Sequence, residues 1–131
     1  MKKLVLFITI FAIIIGTTTF AIDRRLNTPN VRYIEPLNDA TIGITNKKSI
    51  IFKWKSKPIP GGGRVAYKFE LFKGFGYDIM INEELERDTF SVEIPVEKFE
   101  DNAIYTWQVR QRDAKTRIWS MDNRWSFKVI K

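Results

Sequence analysis

One segment alternates apolar and polar side chains so strictly that it constrains the fold of the whole chain. In Tyr105–Arg110, aromatic or aliphatic residues occupy the odd positions and polar residues the even ones. Successive side chains of a β-strand point to opposite faces, so this pattern predicts a half-buried antiparallel strand. No segment beyond the first 21 residues shows the 3.6-residue period of an amphipathic helix. The sequence therefore predicts an all-β protein.

Seven short strands are predicted from the same two-residue period. They cover Val31–Leu37, Ser49–Lys55, Val65–Phe72, Tyr77–Asn82, Thr89–Ile94, Tyr105–Arg112 and Arg124–Ile130. Turn signals separate them at a spacing of about 8 to 12 residues, which is typical of a Greek-key β-sandwich. Asn38–Thr41 is predicted as a turn and Glu83–Asp88 as an acidic loop. The predicted inward-facing residues are Ile50, Phe52, Trp54, Tyr67, Phe69, Leu71, Phe90, Val92, Tyr105, Trp107, Val109 and Phe127.

The first 21 residues have the composition of a secretory signal peptide. A basic start precedes the apolar run Leu4–Ile15, and small residues lead to a predicted cut after Ala21. No cysteine follows the run, so no lipidated anchor is expected. The alternative is an uncleaved membrane anchor, because Leu4–Ile22 is nineteen residues without a charge and a spanning helix needs about 20. Either outcome predicts export, to the periplasm, the cell surface or the medium.

The remainder of the chain is predicted to be one domain behind a short leader. Residues 22–30 lack an apolar period and are expected to be a flexible leader, and residues 31–131 form the domain. Cysteine is absent, so stability must come from packing alone. After cleavage, the chain has 20 basic and 15 acidic residues, which gives a net charge of +5. The charges are mixed in sign along the chain, so no nucleic-acid partner is expected, and a membrane partner only if the N-terminal segment stays uncleaved.

Residues 31–130 resemble a fibronectin type III domain of the kind common in bacterial exported proteins. The resemblance is carried by Trp54, Tyr67, Tyr105-x-Trp107-x-Val109, Trp119-Ser120 and Trp125-Ser126-Phe127-x-Val129. It implies a seven-stranded, immunoglobulin-like antiparallel sandwich with Trp54, Tyr67, Tyr105 and Trp107 in the structural core. It also implies that the Tyr105 hydroxyl bonds to backbone a few residues upstream.

Two functions of relatives are not carried over to this chain. It has no Arg-Gly-Asp tripeptide, so integrin binding is not implied. Trp119-Ser120 and Trp125-Ser126 are separated by four residues, not by the single residue of the cytokine-receptor box. The resemblance therefore predicts a scaffold without naming what it binds.

Catalysis is not expected, because the chain has neither histidine nor cysteine. Four carboxylates, of Glu83, Glu84, Glu86 and Asp88, are the remaining candidates for an acid–base pair or a calcium site. Their spacing matches no known calcium motif, and all four lie in one predicted loop, so a solvated loop is the favoured interpretation of both. The triple glycine Gly61–Gly63 precedes a strand, so it is interpreted as a connector and not as a phosphate cradle. No catalytic residue, metal ligand or cofactor is predicted.

Binding is the function that the remaining residues favour. Phe75, Tyr77, Trp119 and Trp125 lie in or beside predicted loops and are the candidate partner-binding residues. The first hypothesis is an exported, non-enzymatic module that contacts another protein, and the alternative is a carbohydrate-binding module with Tyr77, Trp119 or Trp125 as platforms. A structural role is also open for the two tryptophans, in a cation–π ladder with Arg117 and Arg124.

Overall fold

The computed structural model describes residues 28–58, 65–113 and 115–131. The predicted signal peptide (1–21), residues 22–27 of the predicted leader and Gly61–Gly63 lie outside the described residues. Within the described part the protein is all-β, as the sequence predicted, with a single short 3₁₀ turn at Val96–Lys98. The described strands are β1 (Arg32–Glu35), β2 (Ala40–Gly43), β3 (Ser49–Lys55), β4 (Val65–Lys73), β5 (Asp78–Leu85), β6 (Ser91–Pro95), β7 (Ile104–Asp113) and β8 (Trp125–Ile130).

The strands form two sheets in a sandwich-like arrangement. The small sheet has the order β1-β3-β6 and the large sheet the order β2-β8-β7-β4-β5. The described part has eight strands and not the predicted seven, and the large sheet is not purely antiparallel. The extra strand is β2, which pairs parallel with β8 from Ala40↔Phe127 to Gly43↔Ile130.

The predicted turn at Asn38–Thr41 is therefore half wrong. The turn lies at Asp39, which has a φ of 62°, and β2 begins at Ala40. β2 is only four residues long and none of them is buried. Such a segment shows too little alternation to be recognised as a strand, because hydrophobic periodicity requires a buried face.

The boundaries of β5 and β6 also differ from the prediction. Glu83 and Glu84 lie in β5 and not in a loop, because an edge strand tolerates charged side chains on both faces. Phe90 precedes β6 and is 44% exposed, although its ring still lies 6.0 Å from that of Tyr67. Its predicted burial was wrong because β6 is an edge strand, and its start is covered on one side only.

Aromatic rings fill the space between the two sheets. Trp54, Tyr67, Tyr105 and Trp107 are each at most 3% exposed. The Trp107 ring lies 4.4 Å from that of Tyr33 and 5.2 Å from that of Phe52, so it contacts residues of both β1 and β3. The chain has no cysteine and hence no disulfide between the sheets, so this ring packing is what joins them.

The Tyr33 hydroxyl crosses from the small sheet to the backbone of the large one. It accepts a hydrogen bond from the Val109 amide at 3.0 Å and donates to the Asn123 carbonyl. β8 pairs with β7 only as far as Trp107, so the Val109 amide has no strand partner on that side. Tyr33 satisfies it instead. Burial raises the pKa of the Tyr33 hydroxyl well above its usual range.

A second tyrosine ties the strand connection to β7. The Tyr105 hydroxyl accepts a hydrogen bond from the Glu100 amide at 2.7 Å, and Phe99 packs edge-on against the Tyr105 ring at 4.9 Å. This is a bond to backbone five residues upstream, the geometry that the resemblance implied for Tyr105.

Replacing Tyr105 with phenylalanine is expected to cost about 1 to 1.5 kcal/mol of unfolding free energy, because the Glu100 amide loses its acceptor. Urea or guanidinium denaturation measures the loss as a lower midpoint. Tyr77→Phe is the matched control, since Tyr77 is 96% exposed and its hydroxyl has no partner in the described part of the chain. Equal midpoints for Tyr105→Phe and the parent would contradict this role of the hydroxyl.

A buried glutamine holds the residues before β1 against the domain. Gln111 is fully buried, and its amide nitrogen donates to the carbonyls of Pro29 at 2.7 Å and Lys57 at 3.2 Å. Thr28 donates from its hydroxyl to the Ile118 carbonyl at 3.0 Å. Residues 28–30, the last three of the predicted leader, are therefore part of the packed domain.

Candidate binding surface

The turn between β4 and β5 exposes a group of apolar side chains. Phe75 is 68% exposed, Tyr77 96% and Ile79 59%. Gly74 and Gly76 make the turn with φ angles of 75° and 108°, values that residues other than glycine rarely adopt. Phe75, Tyr77 and Ile79 are called the hairpin patch below.

The backbone under the hairpin patch is fixed by hydrogen bonds to β7. The Gly74 amide donates to the Ile104 carbonyl at 2.7 Å, and the Thr106 hydroxyl donates to the Gly74 carbonyl at 2.7 Å. The turn is therefore attached to the beginning of β7, the central strand of the large sheet. Exposed side chains on such a fixed backbone lose less conformational entropy on binding than side chains of a mobile loop.

Arg124 closes the turn from the side. Its guanidinium carbon lies 4.8 Å from the centroid of the buried Phe72 ring, and Nη1 donates to the Gly76 carbonyl at 3.4 Å. A Cβ atom at Gly76 would collide with this guanidinium. Gly76 is thus required by its φ angle of 108°, and a side chain there would also displace the Arg124 guanidinium.

Paired charges lie beside the hairpin patch. Lys73 Nζ and Glu100 Oε2 are 2.7 Å apart on the surface. The hydrogen bond between them raises the pKa of Lys73 and lowers the pKa of Glu100. Both groups are exposed, so solvent screens the pair and it contributes little to stability. The apolar side chains therefore lie next to two opposite charges that neutralise each other.

Trp119 lies on the outer face of the large sheet, far from the hairpin patch. It forms an antiparallel bridge with Arg112 of β7, whose guanidinium carbon is 4.9 Å from the Trp119 ring centroid. Lys68 Nζ is 6.0 Å from the same centroid. Arg112 is paired with Ala66 and Tyr105 with Lys73, so seven residues of β4, about 23 Å at strand rise, separate the two regions.

Trp125 faces the interior instead of solvent. It is half-buried, with its ring edge-on to those of Tyr33 at 5.0 Å and Trp107 at 6.5 Å. The structure therefore brings together only Phe75 and Tyr77 of the four predicted binding residues.

The predicted ladder of Arg117 and Arg124 with the two tryptophans is not formed. Arg124 lies over Phe72, and Arg117 is in a turn with a φ of 60°. The cation on Trp119 belongs to Arg112, since residues that face each other across paired strands are neighbours, whereas sequence neighbours point apart.

Ile79 is the member of the hairpin patch that sequence reasoning missed. The available signal was its position, two residues beyond Tyr77 in a predicted strand. Because residues two apart in a strand share a face, an exposed Tyr77 predicts that Ile79 is exposed as well. The alternation that identified the core residues gives no comparable information about an edge strand.

The acidic residues that the sequence singled out lie at the far end of β5. Glu83, Glu84, Glu86 and Asp88 are all exposed, and none of them forms an ion pair within residues 28–58, 65–113 and 115–131. The same ranges contain no group of three or more acidic side chains arranged to hold a metal ion. No helix among the described residues has both the length and the apolar character needed to cross a membrane.

The hairpin patch holds three of the five most exposed large apolar side chains in the described part of the chain. Exposed apolar side chains of this kind suit a contact surface. No protein-family model matches this chain, and no curated protein matches it.

Proposed function

We propose that this chain is an exported, non-enzymatic interaction module that binds a protein partner through the hairpin patch. The carrying observation is the exposure of Phe75, Tyr77 and Ile79 on a turn whose backbone is bonded to the beginning of β7. Soluble domains rarely leave neighbouring large apolar side chains in water, and such patches commonly mark interaction sites. The export part of the proposal rests on the composition of residues 1–21.

We propose further that the domain is of the fibronectin type III kind. Three features support this assignment: the division into sheets β1-β3-β6 and β2-β8-β7-β4-β5, Trp54 buried on β3, and the Tyr105 bond to backbone upstream of β7. Domains of this family have turns at the ends of a rigid sandwich, and partners bind to these turns. The β4–β5 turn is one of them.

The character of the patch favours a protein partner over a glycan. A sugar ring stacks on a flat, open aromatic face, but Trp119 carries the Arg112 guanidinium and Trp125 packs against the core. Tyr77 is then the only open ring of the three predicted platforms, and Phe75 and Ile79 beside it are purely apolar. Tyrosine with apolar neighbours is the composition of a protein–protein hot spot.

A double substitution tests the protein-partner proposal. We expect Phe75→Ser with Tyr77→Ser to weaken binding of the purified partner at least tenfold, about 1.4 kcal/mol, because hot-spot truncations commonly cost ~2 kcal/mol or more. The partner is first isolated from envelope extracts with the parent chain, and its Kd is then measured by calorimetry for each variant. Met121→Ser is the matched control, since Met121 is 75% exposed but lies outside the patch.

Equal affinities of the double variant and the parent would refute the assignment of the hairpin patch. Intrinsic tryptophan and tyrosine fluorescence during titration with soluble polysaccharides tests the alternative. A saturable change that the double variant lacks would favour the carbohydrate-binding function, and no change is expected.

A further inference from the structure

A shallow groove of about 540 Å³ lies on the outer face of the small sheet, on the opposite layer from the hairpin patch. Lys53 and Lys55 of its central strand β3 line the groove, together with the half-exposed side chains of Ile34 and Phe90. These four residues are called the lysine groove. It combines two ammonium groups with apolar surface, which is the chemistry that binds an extended acidic segment.

The positive charge of the lysine groove is incompletely neutralised. Lys53 Nζ is 3.5 Å from Glu35 Oε1, and both side chains are about half exposed. Lys55 has no acidic partner among residues 28–58, 65–113 and 115–131, and neither has Arg32, which is its register partner on β1. An anionic group is therefore attracted to the Lys55 end of the groove.

The complementary surface is present on the same chain. Glu83, Glu84, Glu86 and Asp88 are exposed around the end of the edge strand β5, with Leu85 and Arg87 between them, and are called the acidic strip. Lys68 is the register partner of Glu84, but its ammonium lies toward the Trp119 ring, 6.0 Å from the centroid. In the described part of the chain, the acidic strip thus has no cation paired with it.

We propose that the acidic strip of one copy of this chain binds the lysine groove of a second copy. Lys53 and Lys55 are two residues apart on β3, and Glu84 and Glu86 are two apart at the end of β5. An extended strand spaces the two lysines by about 6.6 Å, and Glu86 follows directly after Leu85, the last residue of β5. The two lysines of one copy and the two glutamates of the other therefore match in charge.

A second copy is favoured over another anionic ligand because it accounts for both unpaired surfaces at once. An unrelated acidic peptide or an anionic lipid would occupy the lysine groove and leave the acidic strip without a role. Substitutions in the strip therefore separate these occupants. The proposal does not use the hairpin patch, so either can fail without the other.

The association is expected to be weak and dependent on salt. The proposed contact is made mainly by exposed charges, which are worth little individually in water. The Debye length falls from about 20 Å at 20 mM salt to about 6 Å at 300 mM, which screens exposed charge pairs. Sedimentation velocity at one high protein concentration should then show a larger weight-average sedimentation coefficient at the lower salt concentration.

Charge reversal provides the decisive experiment, on protein purified after expression of the full chain. Lys55→Glu alone and Glu84→Lys alone are each expected to raise the dissociation constant about tenfold or more, since each places like charges face to face. An equimolar mixture of the two variants is expected to associate again, because each reversed surface then meets a complementary one.

The matched controls are Lys98→Glu and Glu97→Lys, which change net charge equally at exposed positions outside both surfaces. They are expected to associate like the parent, and circular dichroism confirms that each variant is folded. A parent that stays monomeric at 20 mM salt would overturn the proposal. Association of Glu84→Lys at the parental level, or a mixture that stays dissociated, would overturn it equally.

Discussion

Replacing Trp107 with alanine is expected to lower the free energy of unfolding by about 3 to 5 kcal/mol, the range for truncating a buried tryptophan. Trp107 is fully buried between the sheets and contacts the rings of Tyr33 and Phe52. Its indole N–H has no hydrogen-bond partner in the described residues, so packing alone makes up its contribution. A loss of this size is enough to unfold a domain of ordinary stability.

Equilibrium denaturation followed by far-ultraviolet circular dichroism measures the Trp107→Ala effect. Trp119→Ala is the matched control, because its half-buried ring lies on the outer sheet face, where its loss is expected to cost only about 1 to 2 kcal/mol. A Trp107→Ala protein that melts cooperatively at the parental midpoint would show that the ring does not join the two sheets.

Replacing Tyr33 with phenylalanine is expected to cost about 2 to 3 kcal/mol, although it removes a single oxygen atom. The buried Val109 amide would lose its acceptor and the Asn123 carbonyl its donor. An unsatisfied buried polar group costs about 1 to 3 kcal/mol, more than the net value of the bond itself. Tyr77→Phe, which removes an exposed hydroxyl, should leave the denaturation midpoint unchanged.

The same hydroxyl is expected to make the stability of the domain fall at alkaline pH. Burial raises the pKa of Tyr33 above its ordinary value of about 10. The folded state therefore holds this proton more tightly than the unfolded state does. The stabilisation is fully present below about pH 10 and is lost as the pH rises from there toward the higher pKa of the folded state.

Denaturation at several pH values between about 8 and 11.5 tests this linkage. The parent should lose stability steeply above about pH 10, and Tyr33→Phe should lose it less steeply, so that their difference narrows. Parallel stability curves for the two proteins across this range would contradict a buried Tyr33 hydroxyl.

The central strands could be predicted from the sequence because burial imposes the alternation. The bounds of β3, Ser49–Lys55, were predicted to the residue, and β4 extends only one residue beyond its prediction. β2 could not be predicted in this way, since it buries no residue. Its parallel pairing with β8 depends on a contact between positions almost ninety residues apart, for which a local pattern carries no signal.

The candidate binding residues also divide into those that a local sequence pattern can predict and those that it cannot. Phe75 and Tyr77 could be assigned from the glycines around them, because a tight turn exposes its side chains whatever the tertiary context. Trp119 and Trp125 could not, because their faces depend on how the segment after β7 aligns with Arg112 and Trp107.

The parallel pairing of β2 with β8 also determines how the domain carries tension. In this pair the earlier strand and the later strand run in the same direction, from Ala40↔Phe127 to Gly43↔Ile130. A pull on β2 toward the N-terminus and on β8 toward the C-terminus drags the two strands in opposite directions along their common axis. The inter-strand bonds, which lie across that axis, are then loaded together in shear and do not open one after another. A module tethered at one end and bound to a partner at the other would resist extension at this edge.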